Sequence, residues 1–284
     1  MLRFLLKAFK LSAIGTAGGA LLCLLGLAGC QSKFIYFPRP YPPSLVKGWA
    51  KQPGHQVLDY QTRDGPQQAY LLSTSPKPEH LWIVCGGNGT VALDWEDWIR
   101  DHGPKNDAWL LIDMPGYGAC AGSPSPWSIR RSLKAVVPAA MESLHWSLPA
   151  DQGRLRFFGH SLGSAVCLMA AKEYDIRQGV LLSPFTSTMD MTREVIGLPL
   201  GFILWHRYDN VARLREIESA GGGRVVIVHG TDDEVIPVRM GRELAAAAPG
   251  AVRVIEVPGG RHNDLTEIAP QVVEKALESV DGDH

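Results

Sequence analysis

The fold can be inferred from residues 154–171, which read RLRFFGHSLGSAVCLMAA. An apolar strand at residues 155–158 leads into GHSLG at residues 159–163, and a run that favours helix follows. In a G-x-S-x-G turn between a strand and a helix, the serine adopts strained backbone angles. The flanking glycines leave room because they lack a Cβ, so the hydroxyl projects from the top of the sheet. We therefore predict that Ser161 is a nucleophile, the alternative being an ordinary serine in a tight turn.

The composition fits one large α/β domain. The chain has 284 residues, of which 45% are hydrophobic and 20% are charged, so a full core can form once a targeting segment is removed. The formal net charge is -1, with acidic and basic residues interspersed. Because nucleic-acid phosphates demand a basic face, this balance argues against a nucleic-acid partner. We expect a monomer.

The N-terminal region differs in kind from the rest. Basic residues precede an uncharged apolar run at residues 11–27, which is the layout of a secretory signal peptide. Residues 27–30, LAGC, resemble the lipobox of bacterial lipoproteins, in which the cysteine is acylated. The resemblance implies that the mature chain begins at Cys30 and is anchored to a membrane by its acyl chains. The alternative is an uncleaved helix, because the apolar run lies at the short limit for crossing a bilayer.

The residues after this cysteine bear on location. Gln31 stands where an aspartate would mark retention in the inner membrane of Gram-negative bacteria. We therefore expect a lipid-anchored envelope protein in the outer membrane, facing the periplasm. Residues 30–54 are rich in proline and aromatic side chains and are predicted to form a tether. Because aromatic rings need cover, we expect them to lie against the domain, with membrane contact as the alternative.

Eight strand-like segments give the predicted architecture. Residues 55–61 and 67–73 form a hairpin around RDGP, so the second strand runs antiparallel. The other segments are short buried runs, mostly separated by stretches long enough for crossover helices, which indicates a mostly parallel sheet covered on both faces. These strands are predicted at residues 81–85, 109–113, 155–158, 179–182, 225–229 and 252–257. Helices are predicted at residues 91–100, 126–146, 162–173, 211–218, 238–247 and 264–279.

Two further residues complete a catalytic constellation with Ser161. In an open parallel sheet the carboxyl ends of the strands converge on one crevice, so the residues that follow each strand are candidates. A serine hydroxyl needs a base to take its proton and an acid to orient that base. Asp233 follows the seventh strand, and His262 precedes the last helix. The order serine, aspartate, histidine is that of the α/β-hydrolases.

The chain resembles the α/β-hydrolase family of serine hydrolases from about residue 34 to its end. It is similar to compact bacterial lipoprotein hydrolases and to depalmitoylating alpha/beta-hydrolase-domain proteins. The motifs that carry the resemblance are IYFP at 35–38, GYG at 116–118, GHSLG at 159–163, SPF at 183–185, RYDN at 207–210, HGTDDEVIP at 229–237 and HND at 262–264. The family motif His-Gly-x-x-Asp-x-x-Val/Ile-Pro assigns the acid to Asp233 rather than Asp232.

The resemblance also implies a domain organisation. It predicts an α/β-hydrolase fold, an eight-stranded sheet with a small lid or none, since residues 184–223 take only one or two helices. The expected units are a lipoprotein signal peptide at residues 1–29, the tether at residues 30–54 and a catalytic domain at residues 55–284.

An oxyanion hole needs backbone N–H groups aimed at the developing alkoxide. Proteins of this family usually carry His-Gly-Asn or a similar run after the third strand, where this chain has CGGNG at residues 85–89. By alignment with that motif, the resemblance assigns the donors to the backbone of Asn88 and of Leu162, the residue after the nucleophile. A plain glycine-rich turn is the alternative for Asn88.

The implied function is hydrolysis of a carboxylic ester or thioester through an acyl-enzyme, on a small-molecule or acylated substrate. A serine peptidase or aminopeptidase with the same triad is one alternative. An inactive hydrolase scaffold that serves as an envelope interaction protein is another. The sequence contains no H-E-x-x-H motif and no Cys/His cluster with ligand spacing, so we expect no metal and no cofactor.

Other residues near the strand ends are weaker candidates. His160 is expected to point away from the serine, His229 to pack or cap, and Asp113 to bind backbone amides of a loop. Cys85 and Cys120 lie at or beyond the carboxyl ends of strands that neighbour each other in this fold. Two alternatives remain for this pair: the two cysteines form a disulfide, or both are buried free thiols.

Overall fold

The computed structural model describes residues 31–197 and 200–281. Cys30 and the predicted signal peptide lie outside the described residues. In the part of the chain that is described, no helix combines the length and the apolar character needed to cross a membrane.

A single sheet forms the centre of the molecule. It consists of β1 (His55–Thr62), β2 (Gly65–Ser73), β3 (Leu81–Cys85), β4 (Ala108–Ile112), β5 (Leu155–His160), β6 (Gln178–Leu182), β7 (Arg224–Gly230) and β8 (Val252–Val257). The strand order is β1-β2-β4-β3-β5-β6-β7-β8. β2 pairs antiparallel with β1 and β4, and every other neighbouring pair is parallel. The carboxyl ends of β3 and of β5 to β8 therefore lie along one edge.

The sheet is covered on both faces. The helices are α1 (Gln31–Ile35), α2 (Pro43–Trp49), α3 (Glu96–His102), α4 (Pro126–Ser143), α5 (Leu162–Tyr174), α6 (Thr188–Ile196), α7 (Asn210–Ala220), α8 (Val238–Ala247), α9 (Leu265–Ile268) and α10 (Pro270–Ser279). Because side chains alternate along a strand, Ile83 packs into the core with α4, α5, α7 and α8, whereas Trp82 and Val84 pack with α3 and α10. The predicted fold class is confirmed.

The helix predicted at residues 91–100 starts as a 3-10 helix, Ala92–Trp95, which leads into α3. Two other predicted helices also differ from the structure. The segment at residues 264–279 is two helices, because Pro270 disfavours helical angles at Ala269, which has φ -138° and ψ 46°. The helix predicted at residues 126–146 ends at Ser143, and His145 takes a φ of 60°. Neither difference moves a strand end.

The aromatic side chains of the N-terminal segment divide between core and surface. Tyr36 is buried, and its hydroxyl lies 2.8 Å from that of Tyr208. Tyr41 packs edge-on against Tyr70, with ring centroids 5.7 Å apart. The expectation that the aromatics lie against the domain is therefore right for these two. It is wrong for Phe34 and Phe37, which are 66% and 59% exposed.

The three described cysteines are buried free thiols. Cys120 contacts the backbone of β2, with its sulfur 3.3 Å from the carbonyl oxygen of Gln68. Cys85 belongs to β3, and β4 lies between β2 and β3 in the sheet. Burial raises the pKa of the Cys167 thiol, and the adjacent Cys85 raises it further. The disulfide alternative is therefore not the one this structure adopts.

Candidate active site

Ser161 lies at a strained turn between β5 and α5. Its φ is 54° and its ψ is -119°, and its N–H donates to the carbonyl of Leu182 at 2.9 Å. A Cβ on Gly159 would lie 2.7 Å from the Cα of Ser164, and one on Gly163 would overlap the carbonyl oxygen of Cys85. The motif has glycines at these positions because α5 starts directly against the strands.

Three side chains from different strand ends meet at this turn. Nε2 of His262 lies 2.9 Å from Oγ of Ser161. Nδ1 of the same ring lies 2.9 Å from Oδ2 and 3.1 Å from Oδ1 of Asp233. All three residues are buried. The structure thus brings together the three residues that the sequence predicted as nucleophile, base and acid.

Asp233 is held as a carboxylate by its own loop. Oδ1 accepts the N–H groups of Val235 at 2.9 Å and of Ile236 at 2.7 Å. Burial acts to raise the pKa of this carboxyl, but hydrogen bonds from His229 and His262 outweigh it and hold the pKa well below its usual range. An ionised carboxylate accepts hydrogen bonds only, so the proton of the His262 ring is on Nδ1 and the lone pair of Nε2 faces the serine.

The neighbouring acid is directed elsewhere. Asp232 is exposed, and its Oδ1 accepts a hydrogen bond from Oγ1 of Thr231 at 3.1 Å. Its backbone N–H donates to the carbonyl of Gly260 at 2.9 Å. Of the two adjacent aspartates, Asp233 is therefore the one in contact with the histidine.

Two further histidines brace, through hydrogen bonds to backbone carbonyls, the loops that carry His262 and Asp233. Nε2 of His160 lies 3.0 Å from the backbone carbonyl oxygen of His262, and Nε2 of His229 lies 2.8 Å from that of Ile236. Burial, together with the nearby His262, lowers the pKa of His160 to about 4, so this ring is neutral near pH 7. From the sequence, His160 is expected to point away from the serine and His229 to pack or cap, and the carbonyl that His160 binds is distant in the chain.

The two predicted oxyanion donors belong to segments next to the serine. Leu162 is the first residue of α5, so its N–H has no acceptor within the helix. Asn88 lies in the loop after β3, where a Cβ on Gly87 would be 3.4 Å from the Cβ of Ser161. The assignment of the Asn88 backbone N–H as a donor stays a prediction.

The side chain of Asn88 binds the N-terminal segment. Its Oδ1 accepts the N–H of Phe37 at 2.9 Å and the hydroxyl of Tyr117 at 3.0 Å. Its Nδ2 donates to the carbonyl of Ile35 at 2.6 Å. The loop beside the serine is therefore attached to the residues that follow Cys30 and Gln31.

Two other acidic sites lie outside the triad. Oδ1 of Asp113 accepts the N–H of Ala92 at 2.8 Å, and burial raises the pKa of this carboxyl to about 7. Among the described residues, a group with the spacing of metal ligands lies away from the serine, before β3 and β4, and comprises His80, Asp107 and Asp281. Its carboxylates already accept hydrogen bonds from Trp82 at 2.7 Å and Arg156 at 2.5 Å. These contacts explain the group as a structural network.

Known proteins match most of the chain, although no protein-family model matches it. It is 31% identical over 238 residues to an uncharacterised protein of Mycobacterium tuberculosis, covering 82% of this chain and 81% of that protein. It is 27% identical over 218 residues to alpha/beta hydrolase domain-containing protein 17C of Homo sapiens, covering 75% of this chain and 61% of that protein.

Solved structures share the fold at lower identity. An esterase of Pyrococcus furiosus matches with a TM-score of 0.65 at 15% identity, over 87% of this chain and 98% of that one. A hydrolase from Pseudomonas aeruginosa matches with a TM-score of 0.59 at 20% identity, over 80% of this chain and 99% of that one. Sequence relatives, structural neighbours and strand order agree that the chain is a protein of the α/β-hydrolase fold.

Proposed function

We propose that the protein is a serine hydrolase that cleaves a carboxylic ester or thioester through an acyl-enzyme. The observation that carries this proposal is the chain of hydrogen bonds from Asp233 through His262 to Ser161, in which the two ring nitrogens each make a contact of 2.9 Å. A ring with its proton on Nδ1 can accept a second proton at Nε2, which is what an attacking serine must release. Named esterases among the structural neighbours support the same reaction class.

The proposed reaction has two halves. Ser161 attacks the acyl carbon while His262 takes the hydroxyl proton, and the same ring then gives that proton to the departing alcohol or thiol. Water then loses a proton to the ring and attacks the acyl carbon, the bond from that carbon to Oγ of Ser161 breaks, and the ring returns the proton to Oγ as the acid leaves. Asp233 stabilises the imidazolium that forms in each half, and the N–H groups of Asn88 and Leu162 hold the oxyanion. Because Ser161 precedes the first turn of α5, the helix dipole favours negative charge at this point.

The test is turnover of p-nitrophenyl esters of graded chain length, an acyl thioester and an aminoacyl amide by the purified protein. Ser161→Ala should lose fluorophosphonate labelling and several orders of magnitude in turnover, because no acyl-enzyme can form. Ser219→Ala is the matched control, since Ser219 is an exposed serine on α7. Undiminished labelling of Ser161→Ala would rule out the assigned nucleophile, and cleavage of the amide alone would favour a peptidase.

We also propose that the protein is a monomer anchored by acylated Cys30 in the outer membrane, facing the periplasm. The anchor is supported by the sequence LAGC at residues 27–30 and by the apolar run before it, and the outer membrane by Gln31 in the place of an aspartate. Metabolic labelling with a fatty-acid analogue should mark the protein, and Cys30→Ser should abolish the label and leave the signal unprocessed or release the chain. A Cys30→Ser variant that stays in the membrane fraction in mature form would contradict the anchor.

A further inference from the structure

A group of large apolar side chains is exposed on one side of the molecule. We call it the aromatic face, and its members are Phe34, Phe37, Trp127, Met189 and Trp205. Trp127 is 54% exposed and Trp205 is 62% exposed, although tryptophan is usually well covered in soluble proteins. Large apolar side chains that are exposed on neighbouring segments mark a candidate interaction site in a folded protein.

The members come from segments that touch one another. Gln31, in the same helix as Phe34, accepts the N–H of Trp205 on its Oε1 at 2.7 Å and donates to the carbonyl of Ile203 at 2.9 Å. Trp127 packs edge-on against the His206 ring at 5.7 Å. The turn around residues 200–203 packs closely against α6, as shown by the 2.8 Å that would separate a Cβ on Gly201 from the Cα of Met189.

The position of Gln31 indicates what covers this face. Gln31 is buried, and its side-chain amide is bonded at both ends to the segment that carries Trp205. The preceding region contains the apolar run at residues 11–27 and then Cys30. An acylated Cys30 and an uncleaved apolar run would both join the described chain at Gln31, whose side chain contacts the backbone of Trp205. Tryptophan is a side chain that suits the boundary between water and lipid.

The aromatic face also borders the crevice that contains Ser161. Phe37 donates its N–H to the side chain of Asn88 at 2.9 Å, and a Cβ on Gly87, the residue before Asn88, would lie 3.4 Å from the Cβ of the serine. The backbone that carries Phe34 and Phe37 is thus attached to the wall of the crevice. The aromatic face is therefore linked through Asn88 to the loop beside the serine.

We propose that the aromatic face docks on a phospholipid bilayer and turns the crevice of Ser161 towards the membrane surface. Lys33, which is exposed beside Phe34, adds a positive charge that suits anionic headgroups. The docked orientation favours substrates whose acyl chain is held in the bilayer, so that an ester or thioester at the surface reaches the serine without leaving the lipid. This statement about substrates rests on the proposed function, whereas the docking itself does not.

The orientation is tested with the full chain reconstituted in phospholipid vesicles. A polarity-sensitive fluorophore is attached to a cysteine introduced as Trp127→Cys or Trp205→Cys, both far from residue 30 in sequence. The control is Leu148→Cys, because Leu148 is an exposed apolar residue in the connection that enters β5, at the opposite end of the sheet. The native thiols at Cys85, Cys120 and Cys167 are buried, and the unsubstituted protein gives the labelling background.

Docking predicts a blue-shifted emission at positions 127 and 205 that lipid-borne quenchers reduce, and no shift at position 148. Equal access of aqueous iodide to all three positions would overturn the proposal. These probes report orientation whether or not the protein cleaves esters, so a failure of docking is distinct from a failure of the proposed function.

In a second measurement, Phe34→Ser combined with Trp127→Ser should lower turnover of a long-chain ester in vesicles by about tenfold or more. Turnover of a short soluble ester should stay within about twofold. Equal changes for both substrates would contradict the docked geometry.

Discussion

The sharpest prediction concerns the two adjacent aspartates in the loop after β7. Asp233→Asn should nearly abolish turnover, and Asp232→Asn should leave it almost intact. The two substitutions are chemically identical, remove one charge each and lie one residue apart. Any difference between them therefore reports the contacts of each side chain and not the loss of charge in the loop.

The magnitude follows from the hydrogen bonds of Asp233. Its Oδ1 accepts two N–H groups, from Val235 and Ile236, while Oδ2 faces Nδ1 of His262. An asparagine has one oxygen, and turning its NH₂ towards those two donors would lose both hydrogen bonds, at a cost of about 1 kcal/mol or more for each. The oxygen therefore stays with the loop and the NH₂ points at Nδ1. The proton of the ring must then be on Nε2, which can no longer accept the proton of Ser161.

A ring fixed in the wrong tautomer costs on the order of 10⁴ in kcat. That factor corresponds to about 5.4 kcal/mol of transition-state stabilisation. Asp232 is exposed and its carboxylate contacts the hydroxyl of Thr231, so its replacement should cost less than about tenfold.

The assay is kcat for a p-nitrophenyl ester at about pH 8, with the rate of fluorophosphonate labelling as a second readout of serine reactivity. Circular dichroism on both variants establishes that each is folded at the assay temperature. An inactive Asp232→Asn variant, or an Asp233→Asn variant that retains more than about a tenth of the parent rate, would show that Asp233 is not the acid that orients His262.

Three other predictions test the surroundings of the site. His160→Phe removes the hydrogen-bond donor to the backbone carbonyl of His262 and should lower kcat by about 10- to 100-fold without a matching rise in KM. Equal kcat values for variant and parent would show that this hydrogen bond does not position His262. The pKa of the Asp113 carboxyl is about 7 in the folded protein and about 4 in the unfolded chain. Between these pH values the unfolded chain binds fewer protons than the folded protein, so the stability of the folded protein falls as pH rises. The Tm advantage of Asp113→Asn over the parent should therefore grow from about pH 4 to about pH 7 and then level off, and a constant difference would show that the carboxyl is not perturbed. Gly163→Ala should yield no folded protein because its Cβ overlaps a carbonyl of β3, whereas Gly153→Ala, with open space around it, should fold as the parent does.

The parts of the fold that follow from local pattern could be predicted. Residues 81–85 are a continuous apolar run, and they form β3 with the predicted bounds because both faces of a parallel strand are buried. The hairpin of β1 and β2 follows from its turn residues. The position of Ser161 follows from a motif whose glycines are required by contacts within the same turn and with the adjacent strand.

The acid could also have been found from local chemistry. An aspartate that accepts the N–H groups two and three residues further on is a common turn arrangement, and Asp233 makes these contacts with Val235 and Ile236. Asp232 has no comparable role in the loop. The family motif and the turn chemistry therefore point to the same residue for independent reasons.

Features that depend on distant contacts could not be predicted. The brace from His160 reaches a carbonyl 102 residues further along the chain. The separation of Cys85 from Cys120 depends on β4 lying between β2 and β3, which no local pattern specifies. Composition could not distinguish buried Tyr36 from exposed Phe34 and Phe37, because all three are large aromatic residues in one short segment.

The surroundings of Ser161 and His262 explain how the strained backbone of the serine is maintained. The φ of 54° at Ser161 is unfavourable for a residue with a Cβ, so the surrounding structure must hold it. It is held on the β6 side by its N–H bond to Leu182, and by the helix that starts at Leu162. His262 is fixed separately through its own carbonyl by the neutral ring of His160. Because that brace carries no charge near pH 7, it positions the base without competing for the proton that the base must accept.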